Sequence, residues 1–228
     1  MSWILGNKKL LPQIINYLEK REWERIQQLS FFTTPQSYHY PNKNEALILL
    51  NMEKKGVSGI IVITSKGLIF PIFSPGDSNK IDEIKILFNT VNVIIHGVIG
   101  LKQDVDFFNK MISKQIKAVN NYVLMHRESM EYFANGRDTA IYLATPDDLS
   151  KLLPLEIEYQ KEEVLLNPND LNRRAIMYQL LKELINEQLK IGYSCALFVK
   201  ENNSSARHLY TTLGFIEPVL YQINYYNK

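Results

Sequence analysis

CALFVKENNSSARHLYTTLGFIEP, residues 195–218, is the most informative stretch of the sequence. It opens with a run of mostly apolar residues, which predicts a buried strand. A helix is predicted to follow, with either Asn202 or Asn203 as its N-cap and with Gly214 ending it in a left-handed conformation, against which Phe215 folds back. Apolar side chains recur at the i, i+3, i+4 and i+7 positions of this helix, at Ala206, Leu209, Tyr210 and Leu213. The pattern predicts a capped amphipathic helix behind a strand.

The same residues resemble the C-terminal motif of the GNAT superfamily of acyl-CoA N-acyltransferases, which has the form N-x-x-A-x-x-L-Y-x-x-L-G-F. Every named position of that motif is matched between Asn203 and Phe215. The resemblance implies that Asn203 and Ala206 lie at the acetyl-CoA site, with the Asn203 side chain on the pantetheine region. It also implies that Tyr210 protonates the departing CoA thiolate, since a phenol with a reference pKa of about 10 carries its proton at neutral pH. The residues alone leave open that Tyr210 is a core aromatic with a satisfied hydroxyl.

An upstream stretch corresponds to the loop with which the family binds the cofactor pyrophosphate, Q/R-x-x-G-x-G/A at the start of a long helix. The resemblance assigns to acetyl-CoA the residues Asn172, Arg173, Arg174, Ala175, Ile176 and Met177, and also Leu166 in a shortened cofactor strand. At the first motif position this sequence has Asn172 in place of Gln or Arg. At the two positions where the family has small residues it has Ala175 and Met177. A helix N-terminus suits an anion, and two arginines in a first turn oppose the helix dipole unless an anion lies there. The other interpretation is a pair of solvated arginines on a surface helix.

The whole chain is predicted to be an α/β protein with a mixed, α+β sheet and two small domains. Residues 1–135 are expected to form an N-terminal α/β domain, as in a subgroup of the family, and residues 136–228 an incomplete GNAT-like domain. Only LLNPNDLN lies between Val164 and the helix at Arg173, where the family fold has antiparallel strands. Either neighbouring elements, including N-terminal ones, complete the sheet, or the chain is an internally deleted relative that kept the outer helices. The unpaired backbone groups of an uncovered sheet edge must be covered by another element of the chain or by a second subunit.

Hydrophobic periodicity and turn residues predict the individual elements. Helices are predicted over residues 10–29, 45–56, 77–90, 101–119, 146–164 and 172–193. A hairpin is predicted over residues 57–73, and extended segments over 91–98, 122–127, 139–145 and 219–226. Gly56 is expected to stop the second helix, and Asp77 or Ser78 to cap the third. Gly67 can take the positive φ that the hairpin turn requires.

Composition and charge exclude several classes of protein. With 228 residues, 46% hydrophobic and 22% charged, the chain has the composition of an ordinary packed protein. Its formal net charge of +2 provides no overall field toward nucleic acid or an acidic membrane. Cys195 is the single cysteine and the four histidines lie far apart, so neither an internal disulfide nor a metal site is expected. Because no signal-peptide pattern or bilayer-spanning apolar stretch is found, a cytoplasmic protein is expected.

The leading functional hypothesis is an N-acetyltransferase that moves an acyl group from acetyl-CoA to the amine of a small molecule or a protein. No base is assigned to that amine, because Glu162 and Glu163 have the pattern of solvated charges at a helix end. The alternative is a non-catalytic GNAT-like remnant that acts as a binding or assembly protein, favoured by the shortened middle segment and Met177. Neither nucleic acid nor a membrane is expected as a partner, and a homodimer is compatible with the incomplete sheet.

Overall fold

The computed structural model describes residues 2–34, 37–42, 44–74, 76–91, 94–112, 114–128 and 171–227. The helices are α1 Leu11–Glu19, α2 Glu22–Leu29, α3 Ile81–Val91, α4 Lys102–Ile112, α5 Leu171–Lys190 and α6 Ser204–Thr212. The strands are β1 Ser2–Leu5, β2 Thr33–Thr34, β3 Ser37–Tyr38, β4 Ala46–Glu53, β5 Gly56–Thr64, β6 Leu68–Ile72, β7 Gly97–Leu101, β8 Ile116–Arg127, β9 Cys195–Lys200 and β10 Ile216–Tyr226. None of the helices in this part of the chain is long and apolar enough to span a bilayer.

The main sheet is mixed and has eight strands in the order β1-β4-β5-β6-β7-β10-β8-β9. The predicted α/β fold class with a mixed sheet is therefore confirmed. Strand β7 runs parallel to β6, whereas β10 is antiparallel to both of its neighbours, β7 and β8. Strand β10 thus lies between β7 and β8, and β9 lies at the edge of the sheet beside β8. Strands β2 and β3 form a separate two-stranded sheet.

The chain divides into two compact units. The first comprises residues 1–126, 196–207 and 216–228, and it contains nearly all of the main sheet. The second comprises residues 127–195 and 208–215, and it contains α5. Several predictions lie outside the described residues and stay predictions: the domain boundary at 135–136, the elements over 139–164, and the assignment of Leu166 to acetyl-CoA. Glu162 and Glu163, to which no role is assigned, lie there too.

Both faces of the central strands are packed against helices. One cluster joins α1 and α2 to the sheet through Ile14, Ile15, Leu18, Leu29, Ile48, Leu50, Ile60 and Val62. The other joins α3 and α4 to the sheet through Ile84, Phe88, Val105, Phe108, Leu49, Ile61, Ile63 and Val98. Successive residues of β4 and β5 fall into different clusters, because side chains alternate between the faces of a strand. These strands are therefore buried on both faces.

The helix predicted over residues 45–56 is wrong, since most of this segment forms β4, which pairs antiparallel with β5. Because β4 is buried on both faces, its apolar run is continuous and hides the period of two that marks a half-exposed strand. Gly56 does not stop a helix. It begins β5 at φ +110°, directly after a turn at Lys54 and Lys55.

Two further element boundaries differ from the prediction. The strand predicted over residues 91–98 lies later, because α3 continues through Val91 and β7 begins only at Gly97. The helix predicted over residues 101–119 ends with α4, and its last residues belong to β8. Ile116 continues the apolar spacing of α4, but its exposed side chain lies on a strand that pairs with β10. Long-range pairing outweighs the local pattern here.

Most other predicted elements that fall on described residues are confirmed. Helices α1 and α2 lie within residues 10–29, and β5 and β6 form the predicted hairpin, with Gly67 at φ +71°. Helices α5 and α6 and strands β9 and β10 occupy their predicted places, with ends displaced by a few residues.

Candidate active site

The junction between β9 and α6 is built around Asn203. Its backbone N–H donates to the Lys200 carbonyl at 2.9 Å, and its side-chain Oδ1 accepts a hydrogen bond from the Ala206 N–H at 3.0 Å. Of the two residues predicted as candidates, Asn203 rather than Asn202 is therefore the N-cap of α6. Because the cap uses Oδ1, the amide Nδ2 is the donor with which Asn203 can contact a ligand.

The end of α6 holds Tyr210 in place. The Phe215 N–H donates to the Tyr210 carbonyl at 3.0 Å, and the Gly214 N–H donates to the Thr211 carbonyl at 3.0 Å. Gly214 has φ +81°, as predicted, and the two bonds form a Schellman motif. The Phe215 ring meets the Tyr210 ring edge to face at 5.7 Å between centroids. The Tyr210 side chain is partly exposed rather than enclosed in the core.

A buried arginine supports the same helix end. Arg127 is 4% exposed, and its Nη1 donates to the Leu213 carbonyl at 2.5 Å. A Cβ atom at Gly214 would lie 3.1 Å from Arg127 Nε, so the close approach of the guanidinium also favours glycine there. A cation at a helix C-terminus interacts favourably with the helix dipole. Sequence reasoning missed Arg127, because it lies on a strand far from the motif.

A salt bridge fastens the start of α6 to the start of β10. Arg207 Nε and Nη2 donate to the two carboxylate oxygens of Glu217 at 2.7 Å each, and Arg207 Nη1 donates to the Glu201 carbonyl at 3.0 Å. The hydrogen bonds from Arg207 hold the pKa of the Glu217 carboxyl below its ordinary value. The pair helps to line a surface cavity of about 170 Å³, whose walls are Val123, Glu201, Arg207, Glu217, Val219 and Leu220. This pair was not among the predicted site residues.

Helix α5 contains the stretch predicted to bind pyrophosphate. The helix begins at Leu171, so residues 172–177 lie in its first two turns. The first four N–H groups of a helix have no partner within it, and among the predicted residues these are the groups of 172, 173 and 174. Helix α5 ends in the same motif as α6, because Gly192 has φ +88° and the Tyr193 N–H donates to the Gln188 carbonyl at 3.0 Å.

The predicted site residues are distributed over both compact units. Asn203 and Ala206 meet at the cap of α6 and belong to the first unit. Tyr210 and the residues 172–177 belong to the second unit. Within the described ranges, no group of three His, Cys, Asp or Glu side chains is placed to bind a metal ion.

A second strand-to-helix junction follows β6 and is filled by a buried acid. Asp77 is fully buried, and it accepts hydrogen bonds from Trp3 Nε1 at 3.3 Å, Asn51 Nδ2 at 2.6 Å and the Ser74 N–H at 2.6 Å. Lys80 Nζ lies 3.6 Å from the same carboxylate and donates to Asn51 Oδ1 at 3.0 Å. Asp77 thus does not cap the next helix as predicted, because its oxygens bind β1, β4 and the preceding loop.

Another buried acid lies nearby, in the first turn of α4. Asp104 is 4% exposed, and its Oδ1 accepts a hydrogen bond from the Phe73 N–H at 3.1 Å. Burial raises its pKa to about 7, and the positive charge of Arg25 offsets part of this effect. Burial also raises the pKa of Asp77. The ends of the parallel strands β6 and β7 are therefore followed by two buried carboxyl groups.

Two solved structures resemble the chain over almost its whole length. An acetyltransferase of the GNAT family from Colwellia psychrerythraea has a TM-score of 0.53 and 11% sequence identity, and the match covers 100% of both chains. A Drosophila melanogaster protein from a structural genomics consortium has a TM-score of 0.54 and 11% identity over 98% of both chains. No protein-family model matches the sequence, and no curated protein matches it. The similarity is one of fold, and it confirms the predicted GNAT-like fold.

Proposed function

We propose that the protein is an acyl-CoA-dependent N-acyltransferase, because the fold is GNAT-like and the segment from Asn203 to Phe215, which contains α6, matches the full motif. The donor is acetyl-CoA, and the acceptor is an amine of a small molecule or a protein. The observation that carries the proposal is the construction of α6. One end of this helix presents an amide donor at Asn203, and its last turn presents the partly exposed phenol of Tyr210.

The proposed reaction begins with attack of a neutral amine nitrogen on the thioester carbonyl carbon. The carbonyl oxygen becomes an oxyanion, which backbone N–H groups stabilise. When the tetrahedral intermediate collapses, the carbon–sulfur bond breaks and the Tyr210 hydroxyl gives its proton to the sulfur, so that CoA leaves as the thiol. The amine nitrogen loses its proton to solvent or to a base, to which no residue is assigned. The products are an amide and CoA, and Tyr210 regains a proton from solvent.

Three parts of the chain are proposed to bind acetyl-CoA. Asn203 Nδ2 contacts the pantetheine arm beside Ala206, and Leu166 is assigned to the same arm. The diphosphate lies at the N-terminus of α5, where the N–H groups of the first turn and the helix dipole favour an anion. Arg173 and Arg174 add positive charge at this end. The remaining residues of the assigned stretch are Asn172, Ala175, Ile176 and Met177.

Titration calorimetry tests the binding half of the proposal. Purified protein is titrated with acetyl-CoA and, separately, with CoA. We expect saturable binding of both ligands, with a dissociation constant of about 1 mM or tighter. Absence of binding by either ligand at several millimolar contradicts the proposal.

Replacement of the phenol tests the catalytic half. We expect Tyr210→Phe to lower kcat about tenfold or more while the KM for acetyl-CoA changes little, because the hydroxyl acts only when the thiolate leaves. Tyr225→Phe is the matched control, since Tyr225 is a partly exposed tyrosine of β10. Circular dichroism checks that both variants keep the fold. Wild-type turnover in Tyr210→Phe contradicts the role assigned to this residue.

A second candidate function is a non-catalytic GNAT-like protein that binds or assembles. It is favoured by Met177, a large side chain where the family motif has a small residue. This candidate predicts that the protein transfers no acyl group to any amine offered with acetyl-CoA. A tenfold loss of measured turnover in Tyr210→Phe, with the fold intact, excludes it, because such a loss requires a working site.

A further inference from the structure

Arg207 is bound to both sides of the turn that carries Asn203. Its backbone N–H donates to the Asn203 carbonyl at 3.1 Å, while its side-chain Nη1 donates to the carbonyl of Glu201. The Glu201 N–H in turn donates to the Asn121 carbonyl of β8 at 3.0 Å. The backbone that leads into Asn203 is therefore held between a strand of the sheet and the guanidinium of Arg207.

The register of β10 is irregular at Glu217, the residue that binds Arg207. Ile216 pairs with His126, but Val219 pairs with Leu124, so that two residues of β10 oppose one residue of β8. Pro218 is one of those two residues, and it has no N–H to donate to the ladder. A bulge of this kind redirects a side chain out of the regular strand pattern. Glu217 is the other residue of this shift, and both of its carboxylate oxygens bind Arg207.

The exposure of the pair argues against a role in folding stability alone. The side chains of Arg207 and Glu217 are 35% and 29% exposed, and ion pairs at such surfaces add little to stability. A guanidinium bound at two points by one carboxylate is, however, fixed in orientation. Its third donor, Nη1, is then aimed at the Glu201 carbonyl.

We infer that Arg207 and Glu217 are positioning residues for Asn203. Glu217 orients the guanidinium, and the guanidinium fixes the turn from which the Asn203 amide points. The inference rests on the proposed function only for the ligand, which is the pantetheine arm of acetyl-CoA. Neither Arg207 nor Glu217 is placed in contact with the reacting atoms, so their replacement should weaken binding of acetyl-CoA and leave the chemical step unchanged.

Two conservative variants and one control test this inference. Glu217→Gln keeps the size of the side chain but removes its charge, and Arg207→Lys keeps the charge but removes the planar fork. Asp106→Asn is the control, because it removes an exposed ion pair between Lys102 and Asp106 on α4. The measurements are kcat, the KM for acetyl-CoA, and the hydrogen-exchange rate of the Ala206 N–H, which donates to Asn203.

We expect both variants to raise the KM about fivefold with kcat within about twofold of wild type, and to speed exchange at Ala206 by a similar factor. The control should match wild type in all three measurements. If Glu217→Gln matches the control in KM and exchange, the inference is wrong, while the proposed function stands. If wild-type protein does not bind acetyl-CoA, the proposed function fails, and exchange at Ala206 alone decides whether the pair positions Asn203. If Arg207→Lys does not fold, the KM and the exchange rate of the milder variant Glu217→Gln decide whether the inference holds.

Discussion

The junctions after β6 and after β9 both lead from a strand toward a helix, yet their polar groups are used differently. At the first junction the Asp77 carboxylate is fully buried and binds Trp3, Asn51 and Ser74. At the second, Oδ1 of Asn203 caps the helix, and the side chains of the neighbouring salt bridge between Arg207 and Glu217 are about one third exposed. The first junction joins parts of the chain to each other, whereas at the second the cap uses Oδ1 of Asn203 and leaves Nδ2 as the donor that is proposed to meet a ligand.

The two buried acids bear on where the proposed diphosphate site lies. Ligands of α/β proteins usually bind beyond the carboxyl ends of parallel strands, which in the described sheet is the end shared by β6 and β7. Asp77 and Asp104 are buried there, and carboxyl groups do not favour a phosphate. Their burial agrees with the proposal that the diphosphate binds at the N-terminus of α5, where Arg173 and Arg174 stand in the first turn.

The largest effect should come from breaking the buried junction. Asp77→Ala removes the acceptor of Trp3 and Asn51 and leaves the Lys80 ammonium without its carboxylate. We expect the free energy of unfolding to fall by about 4 kcal/mol, as for other broken buried ion pairs. Urea denaturation measures it. Asp82→Asn, at an exposed residue of α3, is the control and should cost less than about 0.5 kcal/mol; similar losses in both variants would contradict this picture.

The second largest effect is a dependence of stability on pH at Asp104, the buried acid in the first turn of α4. Burial raises the pKa of Asp104 to about 7 in the folded chain. The charges of Glu24 and Asp77 also raise this pKa, whereas the charge of Arg25 lowers it. The unfolded chain ionises this group near pH 4, so folding loses stability as the pH rises from about 4 to 7. We expect wild type to lose about 3 kcal/mol relative to Asp104→Asn across this range.

Urea denaturation at several pH values measures the difference in stability between wild type and Asp104→Asn. The contributions of the other titrating groups largely cancel in this difference, because both proteins contain them. Asp106→Asn changes an exposed carboxylate on the same helix, and its stability should follow wild type at every pH. Parallel stability curves for wild type and Asp104→Asn would rule out the raised pKa.

The smallest effect belongs to the exposed junction, where two substitutions separate the cap from the ligand. Asn203→Ala removes the cap and should cost about 1 kcal/mol of stability, whereas Asn202→Ala should cost almost nothing. Asn203→Asp keeps the capping oxygen but loses the Nδ2 donor, so stability should persist while affinity for acetyl-CoA falls. If Asn203→Asp binds acetyl-CoA like wild type, the amide donor is not part of the site. Urea denaturation and calorimetry provide the two readouts.

Sequence reasoning succeeded where the contacts are local. The cap at Asn203 and the turn at Gly214 depend on residues a few positions away, and their spacing is visible in the sequence. It failed at β4, because burial on both faces removes the periodicity that distinguishes a strand from a helix. It also missed Arg127, which meets the Leu213 carbonyl from 86 residues earlier in the chain. Contacts between residues so far apart in sequence do not affect the local spacing of residue types. The contact of Arg127 with the end of α6 could therefore be found only from the fold.

The place of β10 in the sheet sets an order of assembly. Asn120 on β8 and Ile223 on β10 are direct partners, although about 100 residues separate them in sequence. During synthesis, β7 and β8 emerge from the ribosome long before the strand that will lie between them, and they must wait with unpaired edges. A chain without β10 therefore leaves unpaired backbone groups in the middle of its sheet rather than at its edge, and such groups can pair with other chains.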